Sequence, residues 1–344
     1  MRRTMMKTQQ ALPMNTAFTA KAGIRYPIMQ GGLQAVALPP LAAAVSNAGG
    51  LGTINALNFD TPDLFKDGAR EMRKLCGKNN FGINLTVLPA LNPPNYDLYV
   101  QAICEVNKEL AGDRPLVVET AGSNLNKIIQ KLKEGGLTVV HKSTQVRHAL
   151  SAHKSGADFV TLDGFECAGH PGEMDIGGLI LFAEAAQVLK TQNVPFLCCG
   201  GFATGRQVAA ALCFGAEGVA MGTRFLAVTE APIHQGIKDT LVKGTTHDTT
   251  HIFRSLHHTG RVYKNKLALE VQALEKKEPG NFKILQPLVS GKRVADGFRT
   301  GDPEAGVWSA GPSMGLIKSV ETAEALIQQL VAEARAALQV ASKL

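Results

Sequence analysis

ADFVTLDGFECAGHPGE (residues 157–173) changes character halfway along. Its first seven residues form an apolar run with β-branched members, the pattern of a buried strand. From Asp163 onward, Glu166, Cys167, His170 and Glu173 crowd together among Gly164, Gly169 and Gly172. A buried strand that opens into glycines and titratable side chains is not built like an ordinary surface loop. What it belongs to depends on its neighbours.

Seven further apolar runs keep the same rhythm: PIMQ (27–30), LGTIN (51–55), FGINLTV (81–87), PLVVETAG (115–122), TVVHKS (138–143), VPFLCCGG (194–201) and GVAMGTRF (218–225). Helical periodicity fills most of the intervals, as in PLAAAVSNAGG (40–50), NLNKIIQKLKEGG (124–136) and GRQVAAALCFGA (205–216). Strands alternating with helices argue for a parallel sheet with crossover helices. Eight such strands within about 200 residues fit a closed (β/α)8 barrel, an α/β fold, better than an open sheet. An open doubly wound sheet is the alternative. The G-x-G-x-x-G fingerprint is missing after the first strand, which weighs against it.

Beyond the eighth strand the rhythm stops. Residues 231–300 read as helical stretches, such as IHQGIKDTLVKG and NKLALEVQALEKK, and are expected to form a small helical insert over the barrel mouth. Residues 301–344 return to the barrel with one or two helices. The barrel itself is therefore expected over 23–230 and 301–344. Residues 1–22 form a basic tail with no acidic residue, expected to be a disordered extension of a cytoplasmic protein.

The totals narrow the function classes. The formal charge is +7, but the basic residues are spread out, so no nucleic-acid footprint emerges. The denser patch FRSLHHTGRVYKNK (253–266) reads as a solvated face. No run of 18 apolar residues exists to span a membrane. The six cysteines form no C-x-x-C and read as small core residues in a reducing compartment. Cys198 and Cys199, adjacent on a strand, point to opposite faces. HDTTH (247–251) spaces two histidines four apart but lacks the glutamate of H-E-x-x-H, so no metal site is expected. Trp308 reads as packing.

In a barrel, residues that follow the strands gather at one mouth, where such enzymes do chemistry. Gly31 and Gly32 follow the first strand, Asn84 and Thr86 end the third, Glu119 and Thr120 the fourth. Gly200 and Gly201 follow the seventh strand, and Met221, Gly222 and Thr223 end the eighth. Unobstructed backbone N–H groups at those two strand ends suit a phosphate. Lys142, at the end of the fifth strand, needs an anion, either a carboxylate (Asp163 or Glu119) or an oxygen of a bound cofactor.

PIMQGG, NAGGLGTI, FGINLTV, VVETAG, HKS, DGFECAGHPGE, GGFATGR and MGTRF, in this order, resemble the nitronate monooxygenase family, formerly 2-nitropropane dioxygenases. The resemblance runs from about residue 27 to 311. It implies an FMN-dependent (β/α)8 enzyme. Carried over residue by residue, it sets Gly31 and Gly32 under the isoalloxazine and Thr86, Lys142, Asp163 and Ala168 along the cofactor. Gly200, Gly201, Gly222 and Thr223 then surround the phosphate, Met221 is a further cofactor-binding residue, and His170 faces substrate as the catalytic group. The expected chemistry is oxidation of small alkyl nitronates or nitroalkanes with O2.

One stretch departs from the pattern. Many nitronate-oxidising members carry E-A-G-G-H, whereas this chain has E-C-A-G-H-P-G-E (166–173), the form of a sister branch that reduces quinones with NADH. An NAD(P)H:quinone reductase is therefore the second expectation. Flavin-dependent enoyl-acyl-carrier-protein reductases share part of the layout, and a flavin-free barrel binding a phosphorylated metabolite is the non-redox alternative. The expected partners are small molecules, with a homodimer compatible with all of these readings.

Overall fold

The computed structural model describes residues 12–87 and 93–343. Residues 1–11, half of the expected tail, lie outside the described residues. The rest of that stretch is not a disordered extension. Ala17–Ala22 form helix α1, capped by Thr16, whose hydroxyl accepts from Thr19 N and donates to Glu217 O at 2.7 Å. Its apolar side chains explain the order, because Phe18 and Ala22 have no exposed surface.

Eight strands follow in the expected places: β1 (Ile28–Gln30), β2 (Thr53–Asn55), β3 (Gly82–Thr86), β4 (Val117–Ala121), β5 (Thr138–Ser143), β6 (Phe159–Asp163), β7 (Phe196–Cys199) and β8 (Val219–Met221). Helices α2 (Pro39–Asn47), α3 (Pro62–Cys76), α4 (Tyr96–Leu110), α5 (Asn126–Glu134), α6 (Val146–Lys154), α7 (Gly178–Thr191) and α8 (Gly205–Cys213) connect them in turn. The strands are parallel in the order β1-β8-β7-β6-β5-β4-β3-β2. At the seam, Leu51 N donates to Ile28 O and Gln30 N to Leu51 O, both at 2.9 Å, and this bridge closes the barrel. The open-sheet alternative is thereby excluded.

Alternation along each strand divides the barrel interior into two levels. The lower level is apolar: Met29, Leu51, Val117, Val140, Phe159, Leu197 and Ala220 pack together beneath Cys199. Phe18 of α1 enters this cluster from the N-terminal end, its ring edge-on to Phe159 at 5.4 Å. Two residues further along the same faces the level turns polar, with Glu119, Lys142 and Thr161, joined by Asn84 of β3 and by Asp163 at the end of β6. Cys198, one residue before inward-facing Cys199, joins the outer core between sheet and helices.

Past β8 a short helix α9 (Thr223–Leu226) precedes α10 (Gln235–Lys243). The segment 231–300 holds the expected helices, completed by α11 (Lys266–Lys277), α12 (Phe282–Leu285) and α13 (Gly291–Thr300). It also contains an antiparallel ribbon that the sequence reading did not include, β9 (Thr249–Ile252) with β10 (Gly260–Tyr263). Four residues per strand are too few for period-2 alternation to stand out from a basic stretch. Ile252, Val262, Ala268, Val271 and Leu285, with Val307 from beyond it, give this segment its own small core. Trp308 stacks on Tyr263 at 4.7 Å and donates to Pro303 O, a packing role. The C-terminal helix α14 (Ala323–Ala341) lies back on α8 and α2.

If α1 plugs the barrel floor, Phe18→Ala should lower unfolding stability by about 3–5 kcal/mol, the usual cost of emptying an aromatic site in a core. Denaturant unfolding would show it. A loss under about 1 kcal/mol would mean that α1 merely rests on the surface.

Candidate active site

The polar level of the barrel is built around Lys142. Its Nζ lies 3.2 Å from Glu119 Oε1 and 4.0 Å from Asp163 Oδ2. Glu119 is wholly buried, and its other oxygen accepts from Asn84 Nδ2 at 2.7 Å. Asn84 Oδ1 in turn accepts from Thr86 Oγ1 at 3.0 Å. The chain Thr86–Asn84–Glu119–Lys142 thus crosses β3, β4 and β5 on one face. Burial by itself would strip the Lys142 proton; the Glu119 carboxylate, with Asp163 behind it, outweighs that and raises the lysine pKa above its ordinary value. Burial also raises Asp163, against the pull of Lys142. Of the two carboxylates considered for Lys142, Glu119 is the nearer.

Gly31 N donates to Met221 O at 3.0 Å, tying the end of β1 to the end of β8. Met221 therefore enters the site by its backbone, while its side chain belongs to the outer core. A Cβ at Gly32 would lie 2.1 Å from Asn84 Cγ, so glycine is required there to let Asn84 reach Glu119. Gly200 and Gly201 both adopt positive φ, +93° and +79°. A Cβ at Gly200 would press on Gly164 O at 2.7 Å, so the β7 turn can pass under the β6 loop only as glycine. The N–H groups of Gly201 and Gly222 meet no acceptor among the described residues. The Thr223 hydroxyl accepts from Gly311 N at 3.0 Å.

The stretch that opened the sequence reading leaves β6 and is gripped by the β9–β10 ribbon. Gly169, at φ +81°, forms an antiparallel bridge with Arg261, its N donating at 3.0 Å and its carbonyl accepting at 2.6 Å. Glu173 accepts from Thr259 N at 2.6 Å and from Thr259 Oγ1 at 2.8 Å. Arg261 donates to Phe165 O at 3.0 Å, and the guanidiniums of Arg254 and Arg261 both lie on the Phe165 ring, 5.2 and 5.1 Å from its centre. The stretch 253–266 is thus not simply a solvated face. Arg261 is only 9% exposed, its charge spent on the loop rather than on solvent. His251 of the HDTTH stretch packs against Phe165 at 4.9 Å.

His170 lies between these ties. It keeps solvent-accessible surface, and Ala168 nearby is half-buried. Protein crowds the imidazole all the same, and this crowding, together with the His258 ring, lowers its pKa from 6.5 to about 4. At neutral pH the ring is unprotonated, so one ring nitrogen has a free lone pair. The sequence reading missed His258, Arg261 and Thr259, and it did not identify the partner of Glu173. A signal existed in TGRVY (259–263), where glycine precedes a short alternating run.

Truncating Glu119→Ala should cost about 3 kcal/mol, the low end for breaking a buried pair, because Lys142 keeps some water contact and Asp163 remains near. Glu119→Gln, which preserves an acceptor for Asn84, should cost less. Equal stability of wild type and Glu119→Ala in a denaturant titration would count against the pair as a structural element.

The family profile described as Nitronate monooxygenase matches residues 15–333. The chain is 29% identical over 357 residues to a (3aS,4S,5R,7aS)-5-hydroxy-7a-methyl-1-oxo-octahydro-1H-indene-4-carboxyl-CoA dehydrogenase of Rhodococcus jostii (strain RHA1), covering 93% of this chain and 96% of that one. It is also 29% identical over 324 residues to a probable nitronate monooxygenase of Staphylococcus aureus (strain JH9), covering 85% and 90%. Among solved structures, FabK from Thermotoga maritima superposes with a TM-score of 0.86 at 30% identity, over 96% of this chain and 99% of that one. With a barrel, a polar strand-end level and a match across nearly its whole length, the chain belongs to the nitronate monooxygenase family of flavin-dependent oxidoreductases.

Proposed function

We propose that the protein binds FMN at the barrel mouth and oxidises small nitroalkanes or their nitronates with O2, with His170 as the base. The observation that carries this reading is the solvent-exposed imidazole of His170 on the loop that leaves β6 after Asp163, which itself stands beside Lys142. The residues present fit the cofactor. Unpaired N–H groups at Gly201 and Gly222 suit a phosphate, with the Thr223 hydroxyl beside them. Asp163 Oδ1 is buried without a hydrogen-bond partner, and Lys142 brings a cation to the same rim. Gly31, Gly32, Thr86, Ala168 and the Met221 backbone complete the binding surface.

When bound, FMN supplies the two-electron redox chemistry. The chain supplies the rest. A neutral nitroalkane must lose its α-proton, and a ring nitrogen of His170 takes it. A pKa near 4 keeps that nitrogen free but makes it a weak base. Negative charge developing on the substrate raises the proton affinity of the ring and offsets the weakness. The loops from β6, β7 and β8 hold substrate and cofactor together under partial exclusion of water.

A second reading, an NAD(P)H:quinone reductase on the same residues, is favoured by the E-C-A-G-H-P-G-E form of the loop. Anaerobic mixing separates the two: rapid bleaching of the flavin by NADH or NADPH supports the reductase, and bleaching by nitronate alone supports the oxidase.

The base assignment is tested by His170→Asn, which keeps a polar side chain but cannot hold a proton at neutral pH. Turnover of neutral nitroalkane should fall roughly 100-fold or more, the usual scale for loss of a general base. Turnover of pre-ionised nitronate should fall far less, and flavin content should be unchanged. Equal losses on both substrates would remove His170 from the proton-transfer step.

A further inference from the structure

We infer that His258 is the positioning residue for His170: the segment joining β9 to β10 sets its ring against the loop imidazole and fixes that ring's orientation. The inference begins from geometry. The two ring centroids are 4.3 Å apart with their planes inclined at 38°, close enough for direct contact. The contact is bracketed on both sides. One residue before His170, Gly169 is bridged to Arg261; three residues after it, Glu173 holds the backbone and hydroxyl of Thr259. On the ribbon, Thr259 follows His258 directly and Arg261 lies two residues beyond Thr259. Two ties flanking the same pair of rings leave little freedom for either ring to slide away.

Two imidazoles at this separation cannot both carry a proton cheaply, because like charges in contact oppose each other. Which ring takes the first one depends on the surrounding charges. Burial lowers the pKa of His258 too, but the Glu173 carboxylate opposes that. His170 has no such anion: burial lowers it, and His258 lowers it further. The two arginines of this segment are turned elsewhere. Arg254 pairs with Asp175 at 2.7 Å, and Arg261 lies on Phe165. Glu173 thus has two tasks, holding the ribbon and favouring a proton on His258. As pH falls, His258 takes the first proton, and its charge defers protonation of His170.

The activity part of this inference rests on His170 being the base; the titration part does not. The test uses the flavin-loaded protein, with His170 followed by NMR of its ring and by the pH profile of kcat/KM for a neutral nitroalkane. His258→Phe keeps a flat ring of similar bulk and removes the charge. The His170 midpoint and the acid limb of the profile should both move up by about 0.7 pH unit or more, the Coulomb value for water at this separation. Glu173→Gln, which retains acceptor and donor atoms for Thr259, should instead lower the His258 midpoint. His258→Ala, which also frees the ring, should lower kcat with little change in KM. The neighbouring His257→Asn, tolerant of the φ of +51° at that position, should leave the His170 midpoint in place. An unmoved midpoint in both His258→Phe and Glu173→Gln, or an equal shift in His257→Asn, would overturn the inference. A shifted NMR midpoint in a protein whose His170→Asn variant still turns over nitroalkane would uphold the coupling and discard only the base reading.

Discussion

An ammonium inside a closed barrel must be answered by an anion, and here the answer is Glu119, wholly buried and 3.2 Å away. Much of the mouth follows from that pair. Glu119 spends its second oxygen on Asn84, and Asn84 needs Gly32 to be glycine. Asp163 stands 4.0 Å from the same lysine with one oxygen unpaired, so the level carries two carboxylates around a single ammonium. Isolated charges at this depth would be intolerable; the Lys142–Glu119 ion pair and the Asn84–Glu119 hydrogen bond tie three neighbouring strands together. Below them the barrel is hydrocarbon, sealed by Phe18. Polar above and apolar below is what separates the working end from the structural one.

The loop that leaves β6 would be poorly held without the ribbon. It carries three glycines within eleven residues, and Gly169 adopts a left-handed conformation. Such a segment loses much entropy on ordering, which must be offset by contacts. The ribbon provides them through the Gly169–Arg261 bridge, the Glu173–Thr259 pair and the two guanidiniums on Phe165. The insert is thus less a lid than a clamp. Its position also crowds His170 enough to keep the imidazole neutral while leaving it accessible.

Neutrality and basicity pull in opposite directions. A ring kept unprotonated by crowding has a lone pair available over a wide pH range but a modest appetite for protons. An oxidase acting on an acidic carbon next to a nitro group tolerates that compromise, because the product anion lies beside the imidazolium it creates. A reductase fed by a nicotinamide would draw on the same crowding to exclude water. The two readings therefore share one site and differ in the electron donor.

How much was legible beforehand follows from where each signal resides. Strand runs such as TVVHKS and FVTLD carry their own burial pattern, and their alternation with helices points to a parallel sheet, so the eight strands fell where expected, while closure was decided by the Met29–Leu51 bridge. Glycines after β1 and β7 pointed to the mouth because a Cβ at Gly32 would strike Asn84 and one at Gly200 would strike the Gly164 carbonyl. Lys142 declared a need for an anion. Local sequence could not choose between Glu119 and Asp163, because strand register and side-chain reach decide a distance of 3.2 against 4.0 Å. Nor could it show that Phe18 plugs the floor, or that His258 meets His170 from 88 positions away along the chain. Composition and periodicity fix which residues face inward. Contacts between segments far apart in sequence depend on how the closed barrel brings their ends together, and only the tertiary structure decides that.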